Sequence, residues 1–330
     1  MVQRSGRGVR QQFVAWGLAV LMVGATASFA QEFPTKTITM IVPSAPGGTT
    51  DFAARLLTEM LGSQLGKPVV IDNRGGASGN IGNRAVAQAT PDGHTLLMAY
   101  SGYQVANKSL FKDPGWDPIK DFTPVAMVLK APHVVLVKRD LPVSSLPELI
   151  AYGKANPGKL TYASSGIGSI QHIGAEQLKK LGGFDMVHVP YRGAGPAMND
   201  LIGGQIDLFI TTPPSAVGHL QGKIVKGLAI AAPKRHPMLP DIPTSQEAGL
   251  LGFELVAWFA VYAPAGTPEP VVQKLSSAIE AIVTSQVFKE KVEAQGAYAS
   301  FMGPTELGDF TKKELDYWSA VISAAGIHVE

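Results

Sequence analysis

Apolar residues recur along this chain with two alternating periods. Residues 37–42 form an apolar run of strand length, and Phe52, Leu56, Leu57, Met60, Leu61 and Leu65 follow at helical spacing. Between them lies Pro43-Ser44-Ala45-Pro46-Gly47-Gly48-Thr49-Thr50-Asp51, a glycine-rich turn in which Thr49, Thr50 or Asp51 is the expected helix cap. The same strand, turn and helix return at 69–71 and 81–89, and Pro91-Asp92-Gly93 turns into a third strand at 94–100. Further strands are predicted at 134–137, 160–163, 186–189, 205–210, 226–231 and 258–262. Helices are predicted at 146–155, 169–181, 195–202, 270–284, 285–294 and 304–323. This alternation predicts an α/β fold of mostly parallel sheets flanked by helices. The pattern breaks near 129–133 and 253–257 without a long linker, which suits two α/β lobes joined by two short crossings.

The first 30 residues follow a different rule. Arg4, Arg7 and Arg10 form a basic start, 13–27 is almost wholly apolar, and Ser28-Phe29-Ala30 ends in small residues. That is the layout of a Sec signal peptide cleaved after Ala30, and it places the mature chain in the periplasm of a Gram-negative host. The apolar run is shorter than the ~20 residues a membrane span needs. Its removal changes the charge. Of 28 basic residues three are lost and no acid is, leaving 25 against 26, a net charge of −1. A near-neutral chain has no electrostatic case for nucleic acid or an anionic membrane surface. With 45% hydrophobic and 16% charged residues it is globular, and with no cysteine its core has to suffice without disulfides.

Three glycine-rich turns carry the candidate chemistry: Ser44–Gly48, Ala163–Ser169 and Tyr191–Pro196. A helix that starts at such a turn presents unpaired N–H groups and its positive dipole end to an anion. Gly47 and Gly48 let the backbone approach a ligand, and Asp51 caps the helix or orients the loop. No G-x-G-x-x-G and no phosphate-loop lysine motif is present, so no nucleotide cofactor is implied. Ser164, Ser165 and Ser169 are candidate hydroxyl donors to an oxyanion. Ser164 or Ser169 with His172 is the alternative of an exported hydrolase or isomerase, although the G-x-S-x-G elbow is missing. His172 and Glu176 share a helix face, but without H-E-x-x-H or cysteine no metal site is expected. Arg192 has the chemistry for a bidentate carboxylate pair. Tyr100 and Tyr103 flank Ser101 and Gly102 at a strand end and either line a pocket or pack in the core; as pocket walls they favour an aromatic carboxylate. Asp207 is placed to anchor a loop through backbone N–H groups.

In order, Pro43–Asp51, Asn73–Gly82, Pro91–Leu97, Asp121–Val125, Tyr162–Ser169 with His172, Pro190–Pro196 and Asp200–Asp207 resemble the extracytoplasmic solute receptors of the tripartite tricarboxylate transporter system, the Bug family. The resemblance covers residues 31–330. It implies a periplasmic, type II-like Venus flytrap, with one lobe from 31–131 and 256–330 and the other from 132–255. Such a monomeric receptor, without cofactor or catalytic residues, clamps a small carboxylate between its lobes. It then delivers the ligand to a membrane permease, or presents it to a membrane kinase as a sensor partner. The implied binding residues are Ala45, Pro46 (through its carbonyl), Gly47 and Gly48 in the first lobe. In the second they are Ser164, Ser165, Gly166, Ser169 and Tyr191, Arg192, Gly193 and Ala194. Asp51 and Asp207 match positions that hold loops. Ser44, Asn80, Tyr100, Ser101, Tyr103, His172 and Thr211 complete the candidate set. Ser44 stands where an aromatic is common, and Tyr100–Tyr103 where small residues and a histidine are usual, so ligand identity does not carry over.

Overall fold

A computed structural model of the chain describes residues 33–325, and the expected signal peptide lies outside the described residues. The chain runs through β1 (Ile38–Val42), α1 (Thr49–Leu65), β2 (Val69–Asn73), α2 (Asn80–Ala87), β3 (Thr95–Tyr100), α3 (Ser101–Leu110) and β4 (Phe122–Pro132). It then passes into β5 (Val134–Lys138), α4 (Leu146–Ala155), β6 (Thr161–Ser164), α5 (Ile170–Gly182), β7 (Val187–Pro190), α6 (Ala194–Ile202), β8 (Leu208–Thr211), α7 (Val217–Gln221) and β9 (Val225–Ile230). It returns through β10 (Val256–Pro264), α8 (Glu269–Val283), α9 (Gln286–Glu293), β11 (Tyr298–Met302) and α10 (Pro304–Ala325).

These strands make two sheets, and hence two lobes. The first has six strands in the order β11-β4-β10-β3-β1-β2, the second five in the order β7-β6-β8-β5-β9. Both are mixed, where the alternation predicted mostly parallel sheets. β1 pairs in parallel with β2 and β3, and β6 with β7 and β8. β10, by contrast, runs antiparallel between β3 and β4, and β5 antiparallel between β8 and β9. The reason is the crossing. β4 leaves the first sheet straight into β5, and β10 brings the chain back, so the strands that link the lobes oppose their neighbours.

The crossing is stitched by backbone. His133 N–H donates to the Leu255 carbonyl at 2.8 Å, Ala231 N–H to that of His133 at 2.8 Å, and Leu255 N–H to that of Ala231 at 3.0 Å. His133 is fully buried. Burial lowers its pKa to about 4, against the opposing pull of the Leu255 carbonyl, so the ring is neutral at the hinge.

Four elements were not anticipated, among them α7, a helix of only five residues. α3 is buried on nearly every side, which erases the amphipathic signature. β4 carries Pro124 and Pro132, and β11 is a short edge strand. β4 holds its place because 125–129 is fully buried under α8 and α10.

Candidate functional site

The loops at the C-terminal ends of the parallel strands bring three helix starts together between the lobes. α1 begins after Gly48, α5 after Ser169 and α6 after Gly193. Ligands in parallel α/β sheets sit at such strand ends. A small pocket lies there. From the first lobe it is lined by Ser44, Gly48, Thr49, Thr50, Tyr100, Tyr103 and Phe259, and from the second by Ser165, Gln171, Ala194, Thr211 and Thr212. None of these side chains carries a charge. The cavity is about 20 Å³, room for roughly one water. A wider groove of about 870 Å³ runs outside the cleft, between α4 and α5 with Val321 of α10 at its edge, and is lined by Lys179 with its ion-pair partners Glu176 and Asp185. No helix start converges on it.

The lobes touch directly across the pocket. Ala45 N–H donates to the Arg192 carbonyl at 3.0 Å, and the Thr49 and Thr212 hydroxyls lie 2.6 Å apart. Tyr103 Oη donates to the Ser165 carbonyl at 2.6 Å and Tyr100 Oη to Gln171 Oε1 at 2.8 Å. Glycines permit the approach: a Cβ on Gly195 would stand 2.1 Å from the Pro46 carbonyl oxygen, and one on Gly75 2.9 Å from that of Arg192. Gly193, at φ +138°, packs on Ala45.

Of the candidate residues, Ser44, Gly48, Tyr100, Tyr103, Ser165, Ala194 and Thr211 line the pocket. Several others are spent on holding the loops. Ala45 N–H is taken by Arg192, and Gly47 N–H by Asp51 Oδ2 at 3.1 Å. Pro46 turns its carbonyl toward Gly195. Asp51 does not cap α1; the N-cap is Gly48, without a side-chain bond. Its buried carboxylate takes Arg55 Nε at 2.8 Å, Arg55 Nη2 at 3.1 Å and Asn73 Nδ2 at 3.1 Å. Burial raises its pKa, but the bonds from Arg55, Gly47 and Asn73 outweigh that and hold it below the ordinary carboxylate value. Arg192 contributes its carbonyl while its side chain is exposed, and Tyr191 Oη donates to Asp200 at 2.6 Å. Gly166, at φ +135°, lies against Ser78.

The serines and His172 are likewise internal. Ser169 caps α5, its Oγ accepting from His172 N–H at 3.3 Å. His172 Nδ1 accepts from Gly168 N–H at 3.1 Å, so neither serine hydroxyl is paired with this ring. Ser164 Oγ instead lies 2.7 Å from His188 Nε2 and is fully buried. The two imidazoles stack at 4.1 Å. Burial lowers the pKa of His172, and burial, with repulsion between the two rings and from Lys179, lowers that of His188 to about 3, so the His188 ring is neutral. Asn80 Oδ1 accepts from Asn107 Nδ2 and Trp116 Nε1, and Ser101 Oγ from Trp258 N–H, all within the first lobe. Asp207 binds Thr161 N–H at 2.8 Å and Lys138 Nζ at 2.7 Å. Thr161 begins β6, so Asp207 sits at the end of the sheet away from the pocket.

Thr49, Thr50, Gln171, Thr212 and Phe259 are pocket residues outside the candidate set read from the sequence, which named Thr49 and Thr50 only as caps. Gln171 had a readable signal, since it is the second residue of the helix that Ser169 opens; Phe259 lies within a strand and had none. Among the described residues, no group of three or more His, Asp or Glu is placed to hold a metal ion, and no helix is long and apolar enough to cross a membrane.

Comparison with known proteins agrees with this architecture. The model of the tripartite tricarboxylate transporter family receptor matches residues 53–327. Protein BugT of Bordetella pertussis is 35% identical over 312 residues, covering 94% of this chain and 96% of BugT. A solved R. palustris protein with adipate superposes with a TM-score of 0.88 at 35% identity, over 90% of this chain and 100% of that one. MatC from Rhodopseudomonas palustris with bound malate gives 0.83 at 36% identity, over 88% and 100%. These relatives are solute-binding proteins and not enzymes, which sets aside the hydrolase alternative. The chain belongs to the tripartite tricarboxylate transporter family receptors, the Bug proteins, and is a periplasmic solute-binding receptor.

Proposed function

We propose that this receptor captures a small carboxylate between its lobes and delivers it, as a monomer, to the membrane permease of a tripartite tricarboxylate transporter. In this reading the signal peptide is cleaved after Ala30, and the lobes are 31–131 with 256–330, and 132–255. The observation that carries it is the first βα loop. Ala45 and Gly47 amides are spent, which leaves Gly48, Thr49 and Thr50 at the start of α1 to face a ligand. Beside them Ser44 Oγ is buried without a hydrogen-bond partner in a pocket it lines. A helix start and an unpaired hydroxyl suit an anion, and the neutral lining supplies donors without a counter-charge. Adipate and malate, bound by the two R. palustris relatives, are both carboxylates.

The test is a thermal-shift screen against mono-, di- and tricarboxylates. A ligand at 100 times its Kd adds about 2.7 kcal/mol to stability, a readily measured shift. Gly48→Asp places a carboxylate at the start of α1, where a Cβ already comes within 3.1 Å of Ala194. It is expected to abolish the shift while the fold stays intact. A variant that binds as well as the parent would remove this loop from the site.

A further inference from the structure

Of the three helix starts that meet at the pocket, one is already answered by the protein itself. Tyr100 Oη donates to Gln171 Oε1 at 2.8 Å, and the Ile170 N–H at the start of α5 is directed at this Tyr100 oxygen. Gln171 Oε1 also accepts from Ser165 Oγ at 2.9 Å, and the Ser165 carbonyl accepts from Tyr103 Oη at 2.6 Å. Two phenols of the first lobe thus satisfy the polar groups that the second lobe offers at this end. They are not free to move aside. Tyr100 is edge-on to Tyr103 at 5.0 Å and stacked on Phe259 at 5.6 Å, and the two tyrosines are 4% and 1% exposed. Buried, with Tyr100 stacked on Phe259 and edge-on to Tyr103, the pair is packed as core and is not laid out as a platform for an aromatic ligand, the use the sequence suggested for them as pocket walls.

Resting on the carboxylate reading above, we propose that Tyr100 is the specificity-determining residue of this pocket and restricts the ligand to a compact acid with a single carboxylate. That carboxylate is held at the α1 start beside Ser44. A second carboxylate directed at α5 meets a neutral phenol oxygen already bonded there. To enter, it has to displace the hydroxyl, leave it unpaired in a buried site and part the lobes further.

Butyrate and succinate, matched in carbon number and differing in the second carboxylate, separate the possibilities by calorimetric titration of the purified protein. The parent is expected to prefer butyrate by about tenfold, a free-energy difference of ~1.4 kcal/mol. Tyr100→Ala is expected to erase that preference, because it frees Ile170 N–H and Gln171 and opens the space between them. Tyr100→Leu keeps more of the buried volume and serves if the alanine variant does not fold. A parent that binds succinate as tightly as butyrate overturns the proposal, whatever the variants do. So does an unchanged ratio in a folded variant. In both cases acids still bind and the receptor reading stands. If no acid binds any variant, both readings fall together.

Discussion

Asp51 shows how one residue type serves two readings at the level of the side chain. A carboxylate in the first turn of a helix, next to a glycine turn, suggests either a cap or an anchor for the loop, and here it is the anchor. It collects Gly47 N–H, Arg55 and Asn73, and so fixes the loop whose other amides face the pocket. Its folded pKa lies below the ordinary aspartate value, despite burial, because those bonds favour the charged form. The sign follows. A depressed carboxylate stabilises the fold above its unfolded pKa, and that contribution fades as pH falls through the folded value. Asp51→Asn is therefore expected to cost about 1.5 kcal/mol at pH 7, the worth of charge-assisted bonds. The gap between parent and variant should close in acid. Urea unfolding of both proteins at pH 7 and below the folded pKa measures it. An equal gap at both values would mean that the charge itself contributes nothing.

Elements were legible where their burial was one-sided. α4 was read to its ends, with Pro147 in its first turn as the signal, and the structure adds a cap, Ser145 Oγ accepting from Glu148 N–H. α3 was missed because Ser101 to Asn107 is buried throughout, so no polar face marked its period. β4 was read as a boundary because prolines mark its ends, although Pro124 pairs with Tyr262 in the ladder. The site divides in the same way. Loops with the glycine signature were located, but which of their polar atoms remained free depended on partners far away in sequence, as with Ala45 and Arg192. Ser169 is a case in point. It was read as a ligand donor and is the cap of α5. Ser169→Ala should lower stability by about 1 kcal/mol, as should Ser145→Ala at the α4 cap. Neither should change ligand affinity. Denaturant titration and calorimetry on the two variants decide the matter, and a selective affinity loss for Ser169→Ala would return that hydroxyl to the ligand.

For the whole molecule the governing fact is that the two lobes meet directly across the pocket. Four polar contacts bridge them at the pocket: Ala45 to Arg192, Thr49 to Thr212, Tyr103 to Ser165 and Tyr100 to Gln171. Each is worth about 0.5–1.5 kcal/mol net, so closure is a matter of a few kcal/mol and a ligand bridging both lobes can shift it. Gly195 isolates this step. It lies in the first turn of α6, where alanine is intrinsically favoured by ~1 kcal/mol over glycine, so the second lobe loses nothing by the exchange. Across the cleft, however, the added Cβ would sit 2.1 Å from the Pro46 carbonyl oxygen, and neither backbone can yield without parting the lobes. Gly195→Ala is thus expected to leave each lobe folded and to hold the pair open. Small-angle scattering should give a larger radius of gyration than the parent shows with ligand. Affinity should fall by about tenfold or more, since the competent state is less populated. A variant that matches the ligand-bound parent in both scattering and affinity would show that the apposition of Gly195 and Pro46 is not required for capture. The ligand would then have to be held with the lobes further apart than they stand here.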